Sequence, residues 1–553
     1  MTLRTWSTMR VGHRRRSTMS VAAAVSIVAL IGGCTASTSD DSSSGSSSAA
    51  APSGSSAESS PQQSPGQVAG VALPENAVDN AIGKLDGLAD SLMKESGIPG
   101  MAVAVVHGGK TVYAKGFGVR DIGKPDKVDA DTVFQLASVS KSVGSTVIAH
   151  QVGTGAIDWD TPLVSKLPWF ALDDPTVTPK VTIADMYAHR SGLPDHAGDK
   201  LEELGYDRRQ VLERLRLVPL DPFRITYHYT NFGVTAGAEA TAASAGTDWE
   251  TLSQQAIYGP LGMSSTSSRF ADFEAKPDHA VGHVKVGDKY VAQPAQSQRQ
   301  PDAQSPAGGV SSSVDDMSHW LAMLLADGKY DGKEIVKPDA LLPAVTAEIV
   351  SSPAGTPDSR SGYYGYGFNV SITSAGRAQY SHSGAFALGA GTNFVVLPSA
   401  DVAIIALTNA APTGVPETLT AEFSDLVQFG EVRQDWRTLY KNAFAAESNP
   451  TGSLIGKTPP PNAAAAQPNA TYVGTYNSDY WGPAVVSEKD GKLVLGLGPK
   501  GQSYPLTHWD GDTFTFTLNS ENAPPGSISK ATFAGNALTV EYLDDDGLGR
   551  FTR

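Results

Sequence analysis

The sequence predicts an α/β domain, in which strands at both ends of a helical insert complete one sheet, followed by a small all-β domain. Three observations lead there. Strand-like runs open the ordered chain in "GMAVAVVHGG" and "KTVYAKGFGV" and return only far downstream, in "YYGYGFNV", "AQYSHSGAFALGAGTNFVVLP" and "DVAIIALTN". Between them, from Asp131 to about Gly328, the pattern is mostly helical, so the sheet is completed by a distant part of the chain. Residues 469–553 then show short alternating runs such as "YVGTYNS", "KLVLGLG" and "DTFTFTL" at meander spacing, which suits a small barrel or sandwich.

The elements follow in order. Residues 1–33 read as a secretory leader: arginines up to Arg16, the apolar core "VAAAVSIVALI", then "GGC". "LIGGC" is similar to a lipobox, which would make Cys34 the lipidated first residue of the mature protein. Residues 34–75, rich in Ser, Ala and Pro, have almost nothing to bury and are expected to form a disordered tether spanning about 35 Å. A helix is expected in "ENAVDNAIGKLDGLADSLMKESGIPG", closed by Gly97 and Pro99. The two strand runs after it read as a glycine-turned hairpin, and "VPETLTAEFSDLVQF" as the helix that ends a domain spanning residues 76–430. Residues 431–468, which include "SNPTGSLIGKTPPPNAAAAQPNA", read as a linker before the second domain.

Composition narrows the function. At 553 residues, with 40% hydrophobic side chains, the chain can bury two cores. Its formal charge is -15, and without the five leader arginines 37 basic side chains face 57 acidic ones. Such an acidic body argues against nucleic acid as a partner. Cys34 is the single cysteine, so an internal disulfide is excluded and packing alone must hold the fold.

The stretch "FQLASVSKSVGS" holds the first candidate chemistry. A helix starting at Ser138 puts Ser138 and Lys141 on one face, with the hydroxyl at the positive end of the helix dipole. Met alone, Ser138 could simply cap the helix. The same S-x-x-K spacing recurs at Ser91/Lys94 and Ser527/Lys530 without a catalytic setting. Two later stretches shift the balance: Tyr229-Thr230-Asn231 on a loop entering a small-residue helix, and His382-Ser383-Gly384 on a strand. Other patterns lead nowhere. "GGKT" lacks the first glycine of a phosphate loop, since Ala104 stands there; no G-x-S-x-G is present; and His279/His283 lack the adjacent glutamate of a zinc protease.

Serine, then Y-x-N, then H-x-G, in that order, resembles the serine β-lactamase and penicillin-binding protein superfamily in its class C-like branch. The resemblance covers about residues 76–430, including "VTIADMYAHRSGLP", "PAGGVSSSVDDMSHWLAMLL" and "YGYGF". The C-terminal segment is similar to the lipocalin-like β domain of some peptidase-like members. The resemblance implies that Ser138 is the acyl-accepting nucleophile and that Lys141 and Tyr229 share proton transfer, without saying which is the base. It implies that Asn231 holds the acyl side chain and Lys141. The backbone N–H groups of Ser138 and Ala385 would form the oxyanion hole.

His382, Ser383 and Gly384 would line the substrate site, His382 standing where β-lactamases carry the lysine of K-T-G. An imidazole near its ordinary pKa would be charged only part of the time, favouring carboxylate substrates only as pH falls. The expectation is therefore a lipid-anchored, exported envelope hydrolase acting through an acyl-enzyme on an ester or a peptide amide, as carboxypeptidases, D-aminopeptidases and esterases of the superfamily do. It needs neither cofactor nor metal, and its partners are a small-molecule or short-peptide substrate and a membrane. A true β-lactamase and a non-catalytic peptide-binding module are the alternatives.

Overall fold

The computed structural model describes residues 65–553; the leader, Cys34 and most of the expected tether lie outside these residues. The end of the tether is tied down earlier than its composition suggests. Gly70 N–H donates to Ala375 O at 2.9 Å and Arg377 donates to Val71 O at 2.7 Å.

Helix α1 (Ala77–Ser96) forms where Ala81, Leu85, Ala89 and Leu92 recur on one buried stripe, and it stops at Gly97 with φ 73°. Strands β1 (Gly100–His107) and β2 (Lys110–Gly118) pair antiparallel through a turn in which Gly108 and Gly109 both take positive φ. The helical region holds α2 (Val139–Gly153), the short α3 (Asp199–Leu204), α4 (Asn231–Ala245) and α5 (Val314–Leu325). The sheet resumes with β3 (Ile349–Ser352), β4 (Gly362–Tyr364), β5 (Asn369–Ile372), β6 (Ala378–Phe386), β7 (Ala390–Leu397) and β8 (Val402–Thr408), and α6 (Val415–Phe429) follows.

Strand order is β2-β1-β8-β7-β6-β5-β4-β3, so the N-terminal hairpin pairs with the last strand, Met101 opposite Thr408. This is the sheet completed from a distance that the sequence predicts. Alternation along β1 builds two layers. Met101, Val103 and Val105 pack with α1 and α6 on one face, and Ala102, Ala104 and Val106 pack with α2 and α5 on the other.

Helix α7 (Trp436–Glu447) corrects the expected linker at its start. Trp436, Tyr440 and Phe444 recur at helical spacing, Trp436 Nε1 donates to Asp425 at 2.7 Å, and Arg437 bridges Glu422 and Glu95. The Pro/Ala-rich stretch behind it hid that short amphipathic pattern.

The C-terminal domain is a nearly closed antiparallel barrel: β9 (Gly474–Ser478), β10 (Gly482–Lys489), β11 (Lys492–Leu497), β12 (Gln502–Pro505), β13 (Thr507–Asp510), β14 (Thr513–Ser520), β15 (Ala523–Ala534), β16 (Ala537–Val540) and β17 (Arg550–Thr552). The last strand returns beside the first, Asn477 opposite Thr552. The barrel seats on α3 and the residues after it. Lys200 meets Tyr542 O and Asp545, Glu203 accepts from Asn522 and Tyr542, and Tyr206 donates to Trp481 O at 2.9 Å.

Candidate active site

The chain arrives at α2 under strain. Ala137 is fully buried with φ 47°, a left-handed conformation that costs a non-glycine residue roughly 1–2 kcal/mol. Leu136 N–H, bonded to Val310 O at 2.8 Å, fixes the residue before it. The result is Ser138 at the head of α2 with φ −66°, its hydroxyl making no cap bond to the helix. The capping alternative thus does not describe this serine.

Its neighbour on the next turn is buried completely. Lys141 Nζ lies 3.1 Å from Ser138 Oγ, 2.7 Å from Asn231 Oδ1 and 2.9 Å from Ala307 O, and 4.5 Å from the centre of the Tyr229 ring. Burial lowers its pKa to about 7, against the pull of Asp199, which favours the charged form. Asn231 opens α4 and is fixed from both sides. Its Nδ2 donates to Asp199 Oδ2 at 2.7 Å, and His196 Nδ1 sits 2.8 Å from the same oxygen. Burial opposes charge on His196, yet the bond to Asp199 prevails and raises its pKa.

Tyr229 is 7% exposed. Burial lifts its phenol well above 10, with a hydrogen bond to Ser138 acting in the opposite direction. Its backbone is clamped: the N–H donates to Asp195 Oδ1 at 2.6 Å and the carbonyl accepts from His196 N–H at 2.8 Å. Its ring lies 4.5 Å from that of His189, which accepts from Thr230 N–H.

The third motif divides. Gly384 is where β6 meets the head of α2: a Cβ there would lie 2.2 Å from Leu136 O and 3.1 Å from Ser138 N. Ser383 and Ala385 line the cavity with Ser138, Tyr229 and Asn231. Ser383 Oγ donates to Asn393 Oδ1 at 3.2 Å and also bonds the buried Glu417, whose carboxyl burial pushes up to about 7.

His382 departs from expectation. It is 2% exposed and does not line the cavity. Its Nδ1 lies 2.6 Å from Ser383 O, an acceptor, so that nitrogen carries the proton and Nε2 accepts from Tyr364 OH at 2.8 Å. Burial, reinforced by Lys141, lowers its pKa to about 3. The side chain the sequence offered as a partly charged substrate contact is a neutral support behind the site. Strand alternation turns it to the face opposite Ser383.

The cavity in front of Ser138 measures about 3470 Å³ and lies between the two domains, Trp481, Glu521 and Tyr542 of the barrel forming its far wall. Acidic residues on its walls outnumber Lys and Arg by 14 to 7.

Among the other motifs, Ser91 Oγ donates to Glu95 and Ser527 Oγ to Pro524 O, and neither serine lines the cavity. His283 is engaged by Asn409 O and Ile122 N–H, and His279 by Lys276 O. Sequence reasoning missed Asp199, His196, Ala307, Tyr364 and Glu521. Of these, only the His196/Asp199 pair, three apart in "HAGD", carried a local signal.

The β-lactamase family model matches residues 85–428, and the chain belongs to that family. A domain of unknown function, DUF3471, matches residues 458–547. The unguisins hydrolase ungD of Aspergillus violaceofuscus is 25% identical over 80% of this chain and 85% of its own length. Esterase EstB of Burkholderia gladioli is 25% identical over 62% of this chain and 94% of its own, and penicillin-binding protein 4 of Amycolatopsis lactamdurans is 27% identical over 61% and 86%. Among solved structures, the octameric penicillin-binding protein homologue from Pyrococcus abyssi covers 85% of this chain and 100% of its own, with a TM-score of 0.56 at 18% identity. That likeness concerns the fold.

Proposed function

We propose that this chain is an exported serine hydrolase of the class C-like branch, anchored by lipid at Cys34, that opens an ester or peptide amide through an acyl-enzyme on Ser138. The observation that carries it is the setting of Lys141. A neutral amine has two N–H donors and one lone pair. Asn231 Oδ1 and Ala307 O can only accept, so they take the two donors and leave the lone pair facing Ser138 Oγ.

With a pKa lowered to about 7, Lys141 is largely neutral at pH 8 and takes the Ser138 proton as Oγ bonds the acyl carbon. The carbonyl electrons move onto oxygen, held by the N–H groups of Ser138 and Ala385. When the intermediate collapses, Tyr229 gives its proton to the departing oxygen or nitrogen and recovers one from Lys141. Water then takes the leaving group's place, and its proton returns by the same route to Ser138. Lys141 is the first base because the Tyr229 phenol, held well above 10 by burial, is protonated at rest.

The names of relatives, an unguisins hydrolase, an esterase and a penicillin-binding protein, support the reaction class. The acidic cavity wall and the neutral His382 favour neutral or cationic substrates over the carboxylate of a penicillin. Incubating the purified protein with a fluorophosphonate, a penicillin, short-chain esters and D-amino-acid peptides tests the reading. Covalent label on Ser138 with ester or peptide turnover supports it. Penicillin hydrolysis outrunning both puts the β-lactamase reading first, and label-free binding of peptide puts the non-catalytic module first.

A further inference from the structure

The oxyanion N–H of Ala385 belongs to a strand that is paired only along part of one edge. Strand β5 covers β6 from Ala378 to Ser381 and ends there, and from that point Ser383 and Ala385 open onto the cavity. The other edge is paired with β7 as far as Phe386 opposite Ala390, where Gly389 N–H closes a turn on Phe386 O at 2.9 Å. That turn leaves two backbone donors, on Ala387 and Leu388.

Both are taken by one carboxylate from the other domain. Glu521 Oε1 accepts from Ala387 N–H at 2.9 Å and Oε2 from Leu388 N–H at 3.2 Å. Glu521 stands at the turn between β14 and β15, 134 residues along the chain from Ala387. On the catalytic side Arg299 lies 5.1 Å over the Phe386 ring and is itself held by Glu202 of α3 at 2.6 Å.

We propose that Glu521 is the positioning residue of the oxyanion site: the barrel fixes the free end of β6, and through it the spacing between the N–H groups of Ala385 and Ser138. This rests on Ser138 being the nucleophile. Oxyanion donors act only within a few tenths of an ångström of their best distance. A carboxyl that takes two successive backbone N–H groups at once fixes both, and burial pushes that of Glu521 up to about 7 against the pull of Arg299. Docking of the barrel does not rest on Glu521 alone, because Lys200 with Asp545, Glu203 with Asn522 and Tyr206 with Trp481 O also hold it. The barrel is thereby part of the catalytic apparatus.

The test uses the full chain, with p-nitrophenyl acetate as substrate and a fluorophosphonate as label, in the parent, S138A, E521A and E521Q. E521A should lose about tenfold in kcat with KM within about twofold, and label more slowly in proportion. E521Q keeps one oxygen acceptor and should lose only about threefold. Parental kcat in E521A, or a loss confined to KM, overturns the proposal. Should E521A fail to fold, E521Q decides alone, and parental kcat there overturns it. S138A separates the two levels: turnover surviving in S138A removes the nucleophile, whereas a dead S138A beside an unaffected E521A removes only the role of Glu521.

Discussion

Asn231 Nδ2 donates to Asp199 Oδ2 at 2.7 Å, and the same Asp199 is the charge that opposes the lowering of the Lys141 pKa. One carboxylate therefore orients the amide that holds the lysine and also sets how readily the lysine gives up its proton.

The pH dependence of the reaction follows. Lys141 must be neutral to accept the serine proton, so kcat/KM should rise with pH through about 7 and level off above it. Asp199 favours the ammonium, so D199N should move this rising limb to lower pH. The plateau should fall about tenfold because Asn231 is less well held. Profiles from pH 5.5 to 9 for both proteins check it; a limb that stays in place would mean that Asp199 does not reach the lysine.

Ser138→Ala should abolish turnover and fluorophosphonate labelling. The hydroxyl makes no cap bond, so stability should change by less than the roughly 1 kcal/mol typical of cap removal. Ser91→Ala and Ser527→Ala should leave the rate constants unchanged. Thermal melts alongside the kinetics distinguish lost chemistry from lost fold.

His382 is buried behind Ser383 and Tyr364 and should not shape the pH profile. With its pKa lowered to about 3, the imidazole stays neutral from pH 5.5 to 8.5 and contributes no limb in that window. His382→Phe strands the buried Tyr364 hydroxyl and should cost about 1–3 kcal/mol. His382→Lys should likewise destabilise, since it buries a second amine near Lys141, and it should bring no gain in penicillin turnover. A lysine variant that folds normally and hydrolyses penicillin faster would show that the side chain reaches the cavity.

Anchoring through Cys34 is tested by fractionation. The parent should partition with membranes, and Cys34→Ala should lose the mature lipidated form. Unchanged processing and membrane binding would remove the lipobox reading.

Most of the fold was legible because its signals are local and periodic. The stripe Ala81-Leu85-Ala89-Leu92, the Gly108-Gly109 turn and the alternating barrel strands each announce themselves over a few residues. Ser138, Lys141, Tyr229 and Asn231 were legible as motifs, and the fold brings all four together. What lay beyond sequence was direction and distance. Strand alternation puts His382 and Ser383 on opposite faces of β6, but it does not say that His382, on the face that meets α2, is covered by Tyr364. Asp199 has a local partner in His196, but it meets Asn231 across 32 residues, and Glu521 meets Ala387 across 134, with no spacing to betray either contact.

Gly384 offers the most direct test of the packing that builds the site. Strand β6 crosses the head of α2 so closely that any side chain at this position must displace something. A Cβ would stand 2.2 Å from Leu136 O, 2.3 Å from Thr392 Oγ1 and 3.1 Å from Ser138 N. Leu136 O is backbone, and Thr392 Oγ1 already donates to it at 2.8 Å, so neither can simply rotate away. Gly384→Ala should therefore push β6 away from α2, widening the gap between the N–H groups of Ser138 and Ala385. Overpacking of this kind costs about 1–3 kcal/mol, and a shift near 1 Å at the reacting centre costs on the order of a hundredfold in kcat. The variant should fold at reduced melting temperature, keep Lys141 buried and lose kcat far more than KM. Near-parental kcat in a folded Gly384→Ala protein would show that β6 and α2 can move apart without harm, and the oxyanion assignment to Ala385 would have to be abandoned.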